Sequence, residues 1–212
     1  MPWPSLAAIA GAVPLPPRYR FAQPRSGELP ALVAQVARWH PDIRVGAGSC
    51  YLRPDFYRDK VVLEGGPDRD VLVLLVKQGE RTAALWSVER DPDALSLYGK
   101  MMIVAPEDRR AGIALALVQG TEPLARASAA QYIYVHATLK VRYMQDALER
   151  AGYRLLGLLP GYDRELVEPG VVKRVFGALY GKVLVGEDGL QRPQPANLTP
   201  RARALWELLF RE

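Results

Sequence analysis

The chain has 212 residues, with 28 Lys and Arg against 23 Asp and Glu, which gives a formal net charge of +5. Hydrophobic residues make up 49% and charged residues 24%, a balance that excludes a disordered chain. The basic residues are scattered, so the net charge indicates anionic small ligands and not a nucleic-acid groove. One cysteine excludes an internal disulfide framework, and two histidines are too few for a structural zinc site. We therefore predict a cytoplasmic protein without a metal.

The first third of the chain alternates between irregular and helical patterns. Seven prolines fall within the first 30 residues, which excludes a central strand or a long helix and predicts an irregular arm. Apolar residues at helical spacing from Leu29 predict a helix that ends before Pro41. Residues 42–64 are rich in Gly, Arg and aromatic residues, and we predict a loop with a short helix over 54–59. No run approaches the ~18 apolar residues of a membrane span, so we expect no membrane partner.

Three strand patterns follow, at residues 71–77, 82–88 and 95–104. The first is β-branched and largely apolar, and Gly79 in the turn after it supplies a residue that tolerates positive φ. Connections this short join antiparallel neighbours. The sequence therefore predicts an antiparallel meander in the middle of the chain.

The pattern then changes to a helical period. Residues 112–130 predict a long buried helix, 131–137 a buried strand, and 141–150 a second helix. A strand, a crossover helix and another strand form a βαβ unit with parallel strands. We predict two further strands at 153–159 and 171–185 joined by an acidic loop at 163–170, and a short amphipathic helix at 201–210.

The segment that carries chemistry lies where the meander ends and the long helix begins. A strand stops at Pro106, Arg109 and Arg110 follow, and small residues open the helix. The first N–H groups of a helix have no intrahelical acceptor and the helix dipole adds positive potential, so this junction predicts an anion site. The chain has neither the G-x-x-x-x-G-K-S/T pattern of a Walker loop nor the three spaced glycines of a dinucleotide fingerprint here.

Arg109-Arg110-Ala111-Gly112-Ile113-Ala114 resembles the Q/R-x-x-G-x-G/A signature of the GCN5-related N-acetyltransferase superfamily. The meander before it, the βαβ crossover and the later Ala151-Gly152-Tyr153 are similar to the family's pattern as well. The resemblance implies an α/β fold with a mixed, mostly antiparallel central sheet, helices on both faces, and splayed fourth and fifth strands. It implies a single acyltransferase domain over 18–185, with a proline-rich arm at 1–17 and a connector with a short helix at 186–212.

The family resemblance implies an N-acyltransferase that uses acetyl-CoA, or a related acyl-CoA, as a co-substrate. An amine of a small molecule or a protein, which the sequence does not identify, would attack the thioester directly. The strand residues Met102, Ile103 and Val104 would pair with the pantetheine arm, and Gly99 would mark the bulge where the strands part. The pyrophosphate would be bound by Arg109, Arg110, Ala111, Gly112, Ile113 and Ala114.

The groups that would move protons are less evident from the sequence. The family often has a Tyr that acts as the catalytic acid where this chain has Leu148. The strand of this chain that corresponds to the family's fourth strand carries no carboxylate. Tyr143 and His136 are the candidates for the catalytic acid and base. The alternatives are an aromatic anchor for the helix at Tyr143 and a buried strand histidine satisfied by backbone at His136. A non-catalytic coenzyme A-binding sensor or interaction module on the same fold is the alternative function.

Two further features leave alternatives open. The aromatic and cationic cluster in the 51–58 segment is either a wall for an anionic substrate or ordinary packing. Cys50 is predicted to be a small buried residue, with a nucleophilic role as the alternative.

The terminal helix, which carries Trp206 and Phe210, is a candidate homodimer interface.

Overall fold

The computed structural model describes residues 1–210, which contain six helices and eight strands. The helices are α1 Leu6–Ala12, α2 Leu29–Trp39, α3 Pro54–Lys60, α4 Ile113–Ala127, α5 Tyr143–Arg150 and α6 Pro200–Phe210. The strands are β1 Arg20–Ala22, β2 Val61–Val62, β3 Val71–Gln78, β4 Arg81–Asp91, β5 Ser96–Val104, β6 Tyr132–Thr138, β7 Arg154–Glu168 and β8 Val171–Val183. None of these helices is both long enough and apolar enough to cross a membrane.

The strands form one mixed sheet in the order β1-β3-β4-β5-β6-β8-β7, with β2 beside β3. The β2–β3 and β5–β6 pairs are parallel and the other pairs are antiparallel. The meander is β3, β4 and β5, and α4 is the crossover helix from β5 to its parallel neighbour β6. The predicted fold class, a mixed and mostly antiparallel sheet with a βαβ crossover, is confirmed.

Both faces of the sheet are covered by helices. Along β3, Leu72 and Leu74 join a core that also contains residues of α1 and α4, while Val73 and Leu75 join a second core with residues of α2. Neighbouring strand residues point to opposite faces, so the two cores lie on the two sides of the sheet. This two-sided burial explains why β3 reads as a continuous apolar run and not as an alternating one.

The sheet opens between β5 and β6. Their parallel pairing covers only the first four residues of each strand and ends at Gly99 and Val135. On the other side of β5, Ser87 pairs with Met101 and Val88 with Gly99, so Lys100 is an extra residue at a bulge. A Cβ on Gly99 would lie 2.8 Å from Cγ2 of Val135, which explains a glycine at this position. The predicted splay and the bulge beside Gly99 are confirmed.

Three parts of the chain differ from the prediction. The predicted acidic loop at 163–170 is wrong, because β7 continues to Glu168 and pairs with β8 as far as Val171. This hairpin extends beyond β6, and the consecutive residues 171–174 are exposed on both of its faces, so its sequence lacks the expected alternation. The irregular arm contains α1, a seven-residue helix whose first turn is capped by the Ser5 hydroxyl, which accepts from the Ala8 N–H. The short strands β1 and β2 were not predicted.

Candidate active site

The loop between β5 and α4 forms the first half of the site. After a short turn at Pro106–Asp108, Arg110 and Gly112 both adopt positive φ, 67° and 83°, and α4 begins at Ile113. The side chains of Arg109 and Arg110 are exposed, so their charge is available beside the first turn of α4. A Cβ on Gly112 would have only Pro16 of the arm within 4 Å, at 3.6 Å. The loop therefore leaves open space where an anion can approach the N–H groups at the start of α4.

A buried carboxylate holds this loop in place. Asp108 is only 2% exposed and accepts a hydrogen bond of 2.9 Å from the Tyr19 hydroxyl. Both terminal guanidinium nitrogens of Arg81, on β4, also donate to it, one of them at 2.9 Å. The Arg81 hydrogen bond is the main cause that lowers the pKa of Asp108, with the Tyr19 hydrogen bond acting in the same direction. Sequence reasoning missed this anchor, although its position directly before two arginines was visible.

The edge of β5 beyond Gly99 is free on the side of β6. Within residues 1–210 no strand pairs with Met102, Ile103 or Val104 on that side, although all three pair with β4 on the other side. The Met102 side chain lines a cavity, whereas Ile103 is buried in the core beneath α2 and Val104 packs against the opposite core. The predicted pantetheine-binding residues thus offer an unpaired backbone edge that leads to the loop at 109–114.

A cavity of about 460 Å³ occupies the gap between β5 and β6. Val135 and Ala137 contact it from the α4 face of the sheet, and Tyr134 and His136 contact it from the other face. Since neighbouring residues of a strand point to opposite sides, the cavity passes through the sheet at the splay. Its α4-side wall includes Val118, Thr121, Met144 and Leu148, and its opposite wall includes His40, Asp42, Ile43, Asp163, Glu165 and Gly177.

Three polar side chains from three strands meet in this cavity. Nδ1 of His136, on β6, lies 2.7 Å from Oη of Tyr162, on β7, and 3.2 Å from Oη of Tyr98, on β5. The two tyrosine oxygens are 3.2 Å apart. The Tyr162 ring reaches His136 across β8 because Gly177 lies beneath it, where a Cβ would be 3.1 Å from the Tyr162 ring. We refer to Tyr98, His136 and Tyr162 as the His-Tyr-Tyr cluster.

Burial sets the protonation of the His-Tyr-Tyr cluster. Burial lowers the pKa of His136, while the nearby Asp163 carboxylate acts in the opposite direction. Burial raises the pKa of Tyr98 and, with the Tyr98 hydrogen bond opposing it, that of Tyr162. The imidazole is therefore neutral near pH 7 and both phenols keep their protons. Sequence analysis missed both tyrosines. Tyr98 could have been noticed one residue before Gly99, but the contact of Tyr162 depends on the register of the long hairpin.

Contacts between distant segments hold the outer rim of the cavity together. Oδ1 of Asp163 accepts hydrogen bonds from the N–H groups of Ala47, at 2.9 Å, and Arg164, at 2.7 Å. Lys140 pairs with Glu165 and lies 3.9 Å from a carboxylate oxygen of Asp42. These contacts join the loop after α2 to the β7–β8 hairpin above the His-Tyr-Tyr cluster.

The other candidates lie outside the cavity. Tyr143 is the first residue of α5, is 78% exposed and is not among the lining residues, whereas Leu148 is 2% exposed and lines the cavity. Tyr51 and Tyr57 are fully buried in the core under α2, which favours packing for the aromatic cluster. Cys50 is buried and its thiol donates to the Ala47 carbonyl, and burial raises its pKa.

The sequence matches no model of a protein family and no curated protein. Solved structures nevertheless share its fold. A variant of the spermidine N-acetyltransferase SpeG from Vibrio cholerae superposes with a TM-score of 0.61 at 13% identity, covering 79% of this chain and 94% of that one. The RimL ribosomal alpha-N-protein acetyltransferase in complex with coenzyme A gives 0.59 at 12% identity, covering 81% and 97%. An IAA acetyltransferase from Bacillus cereus gives 0.55 at 12% identity, covering 78% and 99%.

Proposed function

The chain has the fold of the GCN5-related N-acetyltransferases, and we propose that it is an acyl-CoA-dependent N-acyltransferase, with acetyl-CoA as the donor. The observation that carries this proposal is the cavity that passes through the sheet between β5 and β6, from which the free edge of β5 leads to the loop at the start of α4. A thioester and an amine that enter from opposite faces can meet in such a gap. Direct transfer then needs proximity and orientation, and no covalent enzyme intermediate.

The α4 side of the gap would bind coenzyme A. The N–H groups from Arg110 to Ala114 and the positive end of α4 would bind the pyrophosphate, with the Arg109 and Arg110 guanidinium groups beside it. The pantetheine amides would pair with the free edge of β5 at Met102–Val104 in the manner of an added strand. A backbone N–H on that edge near Met102 would donate to the oxyanion that forms at the thioester carbon.

The opposite side of the gap would bind the amine. Three carboxylates, those of Asp42, Asp163 and Glu165, line this wall. Lys140 pairs with Glu165 and lies 3.9 Å from Asp42, and Lys100 pairs with Glu89, so these four carboxylates outnumber the two lysines. This excess of negative charge favours an acceptor that arrives as an ammonium ion. The structural neighbours are named for acceptors as different as spermidine and a ribosomal protein, so both a small amine and a protein amine remain candidates. His136 faces this wall and would remove the amine proton.

Thermal unfolding with and without acetyl-CoA tests the donor half of the proposal. Acetyl-CoA should raise the melting temperature of the wild-type protein, and Gly112→Glu should abolish the rise because it brings a carboxylate to the anion site. Gly65→Glu is the matched control. Gly65 has the same kind of positive φ, 69°, with nothing within 4 Å of a Cβ, so the substitution carries similar backbone strain. A wild-type protein that does not respond to millimolar acetyl-CoA would contradict the proposal.

A thiol-release screen tests the acceptor half. Wild-type protein, acetyl-CoA and a panel of small amines and N-terminal peptides should release coenzyme A at a rate that depends on the amine. Leu148 stands where the family often has its acid, and this favours the alternative of a non-catalytic coenzyme A-binding module. Acetyl-CoA binding without turnover on any amine would support that alternative.

A further inference from the structure

The His-Tyr-Tyr cluster holds an uninterrupted chain of proton donors and acceptors across the gap. The shortest link is the 2.7 Å contact between Nδ1 of His136 and Oη of Tyr162, and Oη of Tyr98 follows at 3.2 Å from Tyr162. Within residues 1–210, Nε2 of His136 makes no hydrogen bond, so the other edge of the ring is free to meet a substrate in the cavity. This series of hydrogen-bonding groups thus begins at His136 and ends at Tyr98, beside the opening at Gly99.

Counting protons restricts what this chain can do. If Nδ1 carries the imidazole proton, it donates to Tyr162, Tyr162 donates to Tyr98, and the Tyr98 proton is left to point into the cavity. Nε2 then presents a lone pair. If Nε2 carries the proton instead, the tyrosines donate inward and neither a base nor a phenolic proton faces the cavity. The first arrangement offers an acceptor at one end and a donor at the other, which is the pair that acyl transfer requires. The same pair would arise if Nδ1 donated to Tyr98 and Tyr98 to Tyr162, but the shorter contact of Nδ1 with Tyr162 favours the first order.

We propose that the His-Tyr-Tyr cluster is a proton relay that carries the proton of the attacking amine to the departing thiolate. This inference rests on the proposed acyltransferase function. His136 and Tyr98 are the catalytic residues at the two ends, and Tyr162 is a positioning residue that connects them. The relay supplies the acid that Leu148 cannot supply.

The step starts from the neutral amine, after the bound ammonium ion has lost one proton to water, and from there it balances in atoms and charge. The amine nitrogen forms a bond to the thioester carbon, and the carbon–sulfur bond breaks with its electron pair on sulfur. Nε2 of His136 takes the amine proton while Nδ1 passes its proton to Tyr162, Tyr162 passes one to Tyr98, and Tyr98 protonates the sulfur. The products are an amide and the free thiol of coenzyme A. The imidazole ends as its other tautomer and returns by exchange with water.

The surroundings of His136 are compatible with this role. The titratable groups that face it are Tyr98 on β5, Tyr134 on its own strand, and Tyr162 and Asp163 on β7. Lys100 acts on Tyr162 and lowers its pKa slightly against the effect of burial. Of these four groups, Asp163 alone carries a negative charge, and its Oδ1 is already occupied by two backbone N–H groups. Besides Tyr162, only the Tyr98 hydroxyl of this set lies within hydrogen-bond distance of Nδ1, and its contact of 3.2 Å is longer than the 2.7 Å contact of Tyr162.

The test compares Tyr98→Phe, Tyr162→Phe and the double variant on the amine that the wild-type protein turns over best. Each single change should lower kcat by about 10²-fold while leaving the KM values for acetyl-CoA and amine unchanged. The double variant should be no slower than either single variant, because each change breaks the same chain. Tyr132→Phe is the matched control, since Tyr132 lies on β6 two residues from Tyr134 and outside the cavity. It should retain wild-type kcat.

Each other result contradicts the relay. Phe variants with wild-type kcat, or a double variant whose loss is the product of the two single losses, would overturn it while the proposed function stands. Wild-type protein that binds acetyl-CoA and acylates nothing would overturn the function and the relay together. His136→Gln provides a second readout. It should remove the acid limb of the pH profile of kcat/KM, and a limb that survives would assign the base to another group.

Discussion

The two sides of the gap between β5 and β6 are built differently. On the α4 side, the proposed anion-binding loop is a run of six consecutive residues that would bind through backbone N–H groups, and one buried carboxylate, Asp108, holds it. On the acceptor side, the His-Tyr-Tyr cluster draws one side chain from each of three strands, and the mouth above it adds the loop after α2. The proposed donor site is local in sequence, whereas the proposed acceptor site is assembled from distant segments by the fold.

This difference separates the residues that would bind the cofactor from those that would select the acceptor. A site made of backbone groups at a helix N-terminus depends on chain conformation and tolerates many side chains, so it keeps a recognisable sequence pattern. A site made of side chains from distant strands can be rebuilt by changing any one of them. The same comparison predicts that changes on the donor side affect stability and coenzyme A binding together. Changes on the acceptor side should affect turnover and pH dependence.

The largest stability effect on the donor side should come from Asp108→Ala. It leaves the Tyr19 hydroxyl without its acceptor and removes both hydrogen bonds from Arg81. Breaking the hydrogen bonds of a buried charge costs several kcal/mol. Because Arg81 is 41% exposed and can turn to water instead, we expect a loss of about 2 kcal/mol in the free energy of unfolding. Urea unfolding measures the loss. Acetyl-CoA binding measured by calorimetry should weaken as well, because the loop after Asp108 loses its anchor.

Tyr19→Phe is the control for this prediction. It removes one of the donors and leaves the Arg81 pair in place, so it should cost about 1 kcal/mol and leave acetyl-CoA affinity nearly unchanged. If Asp108→Ala unfolded at the wild-type urea concentration, the idea that one buried carboxylate anchors the donor side would be wrong.

The contrast between the two sides also explains what the sequence could predict. The loop at 109–114, the meander and the crossover are encoded by short-range patterns, and the predicted elements there agree with the structure to within a few residues. The contact between Tyr162 and His136 depends on β8 lying between β6 and β7, and on register shifts near Leu159 and Asp163. No local pattern records such shifts, so the acceptor site could be predicted only as far as His136.

The pH dependence of stability should distinguish the two sides by the pH range in which each loses stability. Burial is the main cause that lowers the pKa of both His40 and His136 below the ordinary value of 6.5. The unfolded chain then binds these protons first, so stability should be constant above about pH 6.5 and fall as the pH drops below it. Asp108 has a pKa below its ordinary 3.8, so its contribution should persist at pH 5 and disappear only in stronger acid.

Urea unfolding at pH 7.5, 6 and 5 measures this separation. His136→Gln should flatten the curve between pH 7.5 and 5, and we expect its effect to be smaller than that of Asp108→Ala at pH 7.5. Asp108→Asn should leave this part of the curve unchanged and reduce acid sensitivity below about pH 4. A wild-type protein that became more stable as the pH was lowered from 7.5 to 5 would show that the histidines are not held in their neutral form.

The smallest effect should come from the strained backbone of the donor loop. A substitution there should change stability and acetyl-CoA binding in opposite directions. Arg110 has a φ of 67°, a conformation that costs a residue with a Cβ more than it costs glycine. Arg110→Gly should therefore raise the free energy of unfolding by about 0.5 kcal/mol. Ala129→Gly is the matched change, since Ala129 is exposed, has a φ of 60° and lies just beyond the other end of α4. Only Arg110→Gly should weaken acetyl-CoA binding, by about threefold to tenfold, because only that position loses a cation beside the anion site. Equal affinities in the two variants would mean that the Arg110 guanidinium contributes nothing to acetyl-CoA binding.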